Sequence, residues 1–161
     1  MTISPPTAKV SRPAELQRLD RQLCFALYSS SLAITKLYKP VLAPLGLTYP
    51  QYLVLLVLWE NDAIGVGELG ARLNLDSGTL TPLLKRMQSA GWLQRERSAQ
   101  DERRVIATLT AAGRALQKRA EHVPMELACA AGCPLDELAE LTARLQTLRR
   151  NVARHVASVD H

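Results

Sequence analysis

The sequence predicts a mainly α-helical protein with a small β-hairpin wing, in which a winged helix-turn-helix region lies between N- and C-terminal helices that form a dimerisation region. Two short helical segments with a tight link lie in mid-chain, and apolar–polar alternation replaces helical spacing directly after them. Long apolar stripes at helical spacing lie near both ends. We therefore expect a flexible arm at 1–13, the winged region at 48–109, and the dimerisation region at 14–47 and 110–161.

The first long helix is predicted from Ala14 onward, after the proline-containing arm. Its apolar stripe consists of Leu16, Leu19, Leu23, Leu27, Ile34, Leu37 and Val41. The stripe spans about seven turns at ~3.6 residues each, and Pro40 should kink or end the helix. A stripe of this length needs a partner, and dimerisation would supply one.

The winged region should begin with a helix from Thr48 to about Glu60, because Thr48 can cap it and Gln51 occupies the capping-box position. The elements predicted next are a loop at 61–65, helices at 66–74 and 79–90, and strands at 92–97 and 103–109. Two helices should then complete the chain: one from its cap at Thr110 to Ala130, kinked at Pro124, and one from Leu135 to about Val156.

Composition points to an anionic partner. The chain has 161 residues, a net charge of +5 and 47% hydrophobic residues, so it can bury a core without disulfides. Its first residues hold no apolar run, so we expect no signal peptide, and its longest apolar run, 52–59, is too short to span a bilayer. We expect a cytoplasmic protein without a membrane partner, in which the three cysteines are buried hydrophobes or reactive thiols.

The second helix of the pair and the hairpin carry the residues expected to contact double-stranded DNA. On the open side of the helix these are Ser77, Gly78, Thr79, Thr81, Pro82, Lys85 and Arg86. Their hydroxyls, the helix N-terminus and the positive charges suit base edges and phosphates. On the hairpin, Arg103 and Arg104 could enter a minor groove, with Asp101 orienting the Arg103 guanidinium. The alternatives are a solvated basic face and a protein-binding winged helix.

Cys24 and the tyrosines form the second candidate site. All four tyrosines lie between residues 28 and 52, and Tyr28 follows Cys24 by one helical turn. A phenol that donates a hydrogen bond to sulfur favours the thiolate, which is the form that attacks a peroxide. The residues alone leave a second interpretation open, in which Cys24 is a buried hydrophobe among packing aromatics.

The segments 75–86 and 101–103 resemble the MarR family of transcriptional regulators, and 23–29 and 47–52 resemble its organic hydroperoxide resistance regulators. The resemblance covers about 19–148. It implies a homodimeric repressor, not an enzyme, in which Cys24 is the peroxidatic thiol and Tyr38 and Tyr49 hydrogen-bond it across the dimer. Tyr28 is carried over as a third residue of this pocket. In two-cysteine members an organic hydroperoxide leads to an intersubunit disulfide that releases the DNA.

The resolving thiol is less clearly marked. The resemblance assigns this role to Cys129, whereas Cys133, at the start of the last helix, should have the better stabilised thiolate and is the alternative. These two cysteines with His122 make an incomplete zinc set, so no metal or cofactor is expected. The rival functions are a MarR-type repressor released by a non-covalent aromatic ligand and a thiol peroxidase.

Overall fold

The computed structural model describes residues 13–159, and the chain divides into two compact units at the boundary between Leu37 and Tyr38. The predicted arm at 1–13 lies outside the described residues except for Pro13. No single helix among residues 13–159 is long and apolar enough to cross a membrane; one bent pair, Leu23–Leu45 with Tyr49–Glu60, passes that test by length and composition alone.

The N-terminal apolar stripe does not form the single helix that its spacing predicted. A short helix α1 (Pro13–Leu16) is followed by a 3-10 turn at Leu19–Arg21, and helix α2 (Leu23–Leu42) begins only then. Arg18 is extended, with φ −74° and ψ 138°, and the Gln22 side chain donates to the carbonyl oxygen of Leu16. These local contacts replace helical hydrogen bonds at the break. Pro40 lies inside α2, which ends two residues later at Leu42.

The second unit contains the predicted winged helix. Its elements are α3 (Tyr49–Glu60), β1 (Ile64–Gly65), α4 (Val66–Leu73), α5 (Ser77–Ser89), β2 (Leu93–Arg97), β3 (Val105–Leu109), α6 (Ala111–Arg119), α7 (Val123–Ala131) and α8 (Leu135–Val159). The three strands are antiparallel in the order β1-β3-β2, with Ile64 opposite Ala107 and Leu93 opposite Leu109. Strand β1 was predicted as loop, since two residues carry no alternation.

The core is built around α3, where Val54, Leu55 and Leu58 are almost completely buried. Helices α4, α5 and α6 pack against it. The turn between α4 and α5 is tight at Gly70: a Cβ there would lie 2.9 Å from the carbonyl oxygen of Leu75. Only glycine permits this approach, which sets how closely the two helices pack.

The C-terminal helices differ from prediction in one respect. The expected helix from Thr110 to Ala130 is interrupted at 120–122, and Pro124 lies in the first turn of α7, where a proline is tolerated. Within α7, Val123 and Ala128 are buried. Helix α8, by contrast, has no buried residue in the single chain.

Candidate nucleic-acid interface and thiol site

Helix α5 separates its apolar and polar sides as predicted. Leu80, Leu83, Leu84 and Met87 are buried, whereas most of the predicted contact residues are exposed: Ser77, Gly78, Thr79, Pro82, Lys85 and Arg86. Thr81 is half-buried. The helix therefore presents two cations and a polar first turn to solvent, which is the chemistry that a DNA duplex requires.

The N-terminus of α5 is already occupied by a carboxylate. Asp76 is the N-cap, and its Oδ1 accepts a hydrogen bond of 2.8 Å from the backbone N–H of Thr79. Its Oδ2 accepts from the Thr79 hydroxyl at 3.1 Å. These hydrogen bonds lower the pKa of the Asp76 carboxyl below its ordinary value. The backbone N–H of Thr79 was expected to be available to a DNA phosphate. It instead donates to the Asp76 carboxylate within the chain.

The hairpin tip is ordered by Asp101, although differently from prediction. Asp101 Oδ1 accepts a 3.0 Å hydrogen bond from the backbone N–H of Arg103, not from its guanidinium. The backbone N–H of Arg104 donates to the Asp101 carbonyl oxygen at 2.9 Å. Asp101 therefore fixes the turn, and the side chains of Arg103 and Arg104 project from a defined backbone on an exposed surface.

Arg95 and Arg104 contact other parts of the winged region. Arg95 donates a 2.9 Å hydrogen bond to Gln88 Oε1 and so joins β2 to α5. The guanidinium of Arg104 lies over Gly65, where a Cβ would be 3.1 Å from its Nη2 atom. Arg103 and Arg104 together line a shallow cleft of about 340 Å³ between the wing and the start of α4.

Two of the tyrosines predicted for the thiol pocket, Tyr38 and Tyr49, lie together in the second unit with a further tyrosine, Tyr52. Tyr38 and Tyr49 are stacked, with ring centroids 4.3 Å apart, and Tyr52 lies 6.0 Å from Tyr38. Burial raises the pKa of Tyr38 to about 12, and electrostatic repulsion from Tyr49 and Tyr52 contributes to this rise. Burial also raises the pKa of Tyr49 and of Tyr52. All three phenols therefore keep their protons at neutral pH and can act as hydrogen-bond donors.

The cysteines are all free thiols. Cys24 is exposed near the start of α2 in the first unit, one turn before the exposed Tyr28. Cys129 is exposed near the end of α7, and Cys133 is half-buried in the link to α8. The placement of Cys24 against Tyr38 and Tyr49 stays a prediction. Across residues 13–159 no three His, Cys, Asp or Glu side chains are grouped as a metal site would require.

The sequence did not mark two residues that join the end of α3 to strand β3 and helix α6. Trp59 lies edge-on to Tyr52, with ring centroids 6.2 Å apart, and donates through Nε1 to the carbonyl oxygen of Gly113 at 3.0 Å. Asp62 bonds both Leu109 and Arg114. An aspartate two residues after a helix carries no recognisable signal, because its partners are 47 and 52 residues away in the chain.

Known proteins resemble most of this chain. A family profile described as "Transcriptional regulator SarA/Rot" matches residues 36–119. The organic hydroperoxide resistance transcriptional regulator of Bacillus subtilis is 47% identical over 131 residues, which are 81% of this chain and 89% of that protein. The HTH-type transcriptional regulator TtmR of Methylorubrum extorquens is 45% identical over 144 residues, 89% of this chain and 74% of that protein.

Solved structures superpose on most of this chain as well. Reduced AbfR bound to DNA, a protein known from Staphylococcus epidermidis, superposes with a TM-score of 0.74 at 36% identity, covering 88% of this chain and 97% of AbfR. The disulfide-formed state of AbfR gives a TM-score of 0.58 at 38% identity, with 84% and 95% covered. MarR of E. coli gives 0.61 at 27% identity, with 79% and 96% covered.

Proposed function

Because the chain belongs to the MarR family of winged-helix transcriptional regulators, we propose that it is a homodimeric repressor that senses organic hydroperoxides through Cys24. The observation that carries this proposal is the 47% identity to an organic hydroperoxide resistance regulator over 81% of the chain, together with an exposed, free Cys24. AbfR, which is similar, is known in reduced DNA-bound and disulfide-formed states.

The dimer is proposed from unburied apolar surface. On α2, Leu23, Phe25, Leu32 and Ile34 are between 41% and 55% exposed in the single chain. On α8, Leu141, Val152 and Val156 are between 52% and 55% exposed. Apolar faces repeated along helices of 20 and 25 residues are too extensive to leave in water. A second copy of the chain covers them, and the paired winged helices then contact two half-sites about one DNA turn, ~34 Å, apart.

DNA contact is proposed for the exposed side of α5 and for the wing. Lys85 and Arg86 approach the major groove together with the polar first turn of α5, while Arg103 and Arg104 approach the adjacent minor groove or its phosphates. The Asp101 turn supports this role, because it fixes the backbone from which both arginines project. A net charge of +5 favours association with a polyanion.

The sensing step is a two-electron oxidation of sulfur. The Cys24 thiolate attacks the terminal peroxide oxygen, an S–O bond forms as the O–O bond breaks, and the alkoxide leaves and takes a proton to become an alcohol. Tyr38 and Tyr49, both neutral phenols, are the donors proposed to stabilise the thiolate across the dimer, with Tyr28 as a third wall of the pocket. The product at Cys24 is a sulfenic acid.

Resolution follows by a second thiol. Cys129 of the partner subunit attacks the Cys24 sulfur, an S–S bond forms, and the sulfenic hydroxyl leaves as water. Cys129 is exposed, which suits it to reach another subunit, whereas Cys133 is half-buried. The new bond draws one subunit against the other and changes the spacing of the two α5 helices, so repression ends.

The test is a non-reducing gel with peptide mass mapping, run with and without one equivalent of cumene hydroperoxide, and a gel-shift assay on the same samples. The DNA is a duplex selected in vitro with the reduced wild-type protein. A dimer-sized band with linked Cys24 and Cys129 peptides and loss of the DNA complex supports the proposal. Cys24→Ser should retain DNA after peroxide, and Cys133→Ser serves as the matched control for Cys129→Ser.

Two results would redirect the assignment. An unchanged intersubunit disulfide in Cys129→Ser would transfer the resolving role to Cys133. Three unmodified thiols in protein that still releases DNA with an aromatic ligand would favour the second candidate function. That candidate is supported by the Tyr38–Tyr49 stack, whose partly exposed rings could bind an aromatic molecule by stacking.

A further inference from the structure

Asp62 joins three segments through one carboxylate. Its Oδ1 accepts hydrogen bonds of 2.8 Å from the backbone N–H of Leu109 and 2.8 Å from that of Ala63. Its Oδ2 accepts a 2.6 Å bond from the guanidinium of Arg114. Leu109 ends strand β3 of the wing, and Arg114 lies in the first half of α6. The carboxylate therefore connects the chain after α3 with the wing and with α6.

The hydrogen bond to Leu109 completes the edge of the sheet. The next residue, Thr110, donates its backbone N–H to the carbonyl oxygen of Trp92 on the β2 side. Successive N–H groups of a strand point to opposite edges, so the N–H of Leu109 faces the β1 side. Strand β1 pairs only Ile64 and Gly65 with β3 and does not extend that far. The Asp62 carboxylate supplies the acceptor that a longer β1 would have provided.

Helix α6 is also held against α3 and the segment between α5 and β2 by contacts to backbone atoms. Trp59 donates to the Gly113 carbonyl oxygen at 3.0 Å, and a Cβ at Gly113 would lie 2.0 Å from the carbonyl oxygen of Trp92. Leu116 and Ala120 continue this packing, with 4% and 3% exposure. The helix thus lies directly on the core between α3 and the turn that leads out of α5.

Helix α7 begins in the same hydrophobic core. Three residues separate it from α6, and its first residue, Val123, is 0% exposed and belongs to the same core. Cys129 lies on α7, whereas the following helix, α8, has no buried residue. A displacement of Cys129 is consequently applied to a helix whose first residue, Val123, lies in the same core as Leu116 of α6, before the chain reaches the break at Gly132.

We propose that Asp62 is the positioning residue that makes the wing follow α6, so that a displacement of α7 reaches the DNA-contacting hairpin. This inference rests on the proposed function, because the displacement comes from the Cys24–Cys129 disulfide. The side chain is suited to the role. Burial alone would raise the pKa of the Asp62 carboxyl, but the hydrogen bonds from Leu109 and Ala63 and the Arg114 guanidinium together lower it, so the ion pair persists at neutral pH.

The test compares Asp62→Asn with the matched control Glu60→Gln. Glu60 lies two residues earlier and pairs with Arg72 of α4 on the surface, so its substitution removes one charge and one ion pair without affecting α6. For each full-length protein the Kd for the selected duplex is measured reduced and oxidised, at equal disulfide content on a non-reducing gel. In Asp62→Asn the ratio of oxidised to reduced Kd should fall at least about 5-fold, the lower end of common coupling factors, whereas Glu60→Gln keeps the wild-type ratio.

A structural role alone would weaken both forms equally and leave that ratio unchanged, and this result would overturn the proposal. A second readout does not depend on oxidation. Amide hydrogen exchange of the reduced protein should be faster at Leu109 and along the hairpin in Asp62→Asn but not in Glu60→Gln; unchanged exchange at the hairpin would also overturn the proposal. If wild-type protein keeps its DNA after peroxide, the proposed function fails and hydrogen exchange alone decides the role of Asp62.

Discussion

The indole N–H of Trp59 donates a 3.0 Å hydrogen bond to the carbonyl oxygen of Gly113, across 54 residues of sequence. The bond joins the most buried helix, α3, to the first helix after the wing. Trp59 also lies edge-on to Tyr52, which in turn lies beside Tyr38. A row of aromatic rings therefore leads from the proposed thiol-pocket tyrosines to the point where α6 is attached, with each pair at the separation of favourable aromatic contacts.

Trp59→Phe should destabilise the fold by about 1–3 kcal/mol. The substitution removes the indole donor, a hydrogen bond worth about 0.5–1.5 kcal/mol, and it shrinks a half-buried ring, which costs packing as well. Urea unfolding followed by far-UV circular dichroism measures the loss. Trp92→Phe serves as the control for ring size, and an equal loss in both variants would show that the hydrogen bond contributes little.

Gly113→Ala should be much more damaging than its size suggests. A Cβ at this position would lie 2.0 Å from the carbonyl oxygen of Trp92, a backbone atom that cannot move without displacing the end of the α5–β2 turn. Overpacking of this kind costs roughly 1–3 kcal/mol or more, and we expect a lower thermal midpoint and weaker DNA binding.

Gly67→Ala is the matched control for that substitution. Gly67 also lies in a helix, but a Cβ there has no neighbour within 4 Å. Alanine should therefore stabilise α4 by roughly 0.5–1 kcal/mol, the difference in helix propensity. Destabilisation at Gly67 equal to that at Gly113 would show that helical glycines matter here for a reason other than space.

The sequence predicted the winged region well because its signals are local. The cap at Thr48 with Gln51, the apolar spacing of Leu80, Leu84 and Met87, and the alternation of β2 and β3 each depend on neighbours within a few residues. The break between α1 and α2 was missed because the apolar stripe continues through it, so the spacing alone favours one helix.

The candidate site was predictable in its residue types and less so in its geometry. That Asp101 bonds the backbone of Arg103 and not its guanidinium depends on the shape of the turn, which residue types do not specify. Asp62 and Trp59 contact residues about 50 positions away, and no short-range pattern marks such partners. The cysteine roles depend on a second subunit, so the fold of one chain leaves them as proposals.

Tyr38 should make the protein sensitive to alkaline conditions. Its pKa is raised from 10.0 to about 12 in the folded chain, first through burial, so folding favours the neutral phenol. This contribution is fully present below pH 10 and is lost as the pH rises through 12. Between pH 10 and 12 the free energy of unfolding of the wild-type protein should fall by roughly 1–2 kcal/mol more than that of Tyr38→Phe. Urea unfolding at pH 8, 10, 11 and 12 measures it, and the pH 8 difference gives the cost of removing the hydroxyl itself.

Arg103→Ala should weaken binding to the selected duplex and lower its dependence on salt. The Asp101 turn fixes the backbone of Arg103 but leaves its guanidinium exposed, so alanine removes a charge without removing a hydrogen bond that holds the wing. If the guanidinium neutralises one phosphate, the slope of log K against log salt should fall by about 1. Fluorescence anisotropy between 50 and ~300 mM salt measures both quantities.

Arg72→Gln separates local contact from net charge, because it removes the same charge from α4, where Arg72 is paired with Glu60. If long-range attraction to a basic protein explains DNA binding, both variants should lose affinity and slope equally. If the wing contacts the duplex, only Arg103→Ala should lower the slope. A loss of affinity at Arg103 with an unchanged slope would instead place its guanidinium on a base edge, because such a contact discriminates sequence while releasing no counterion.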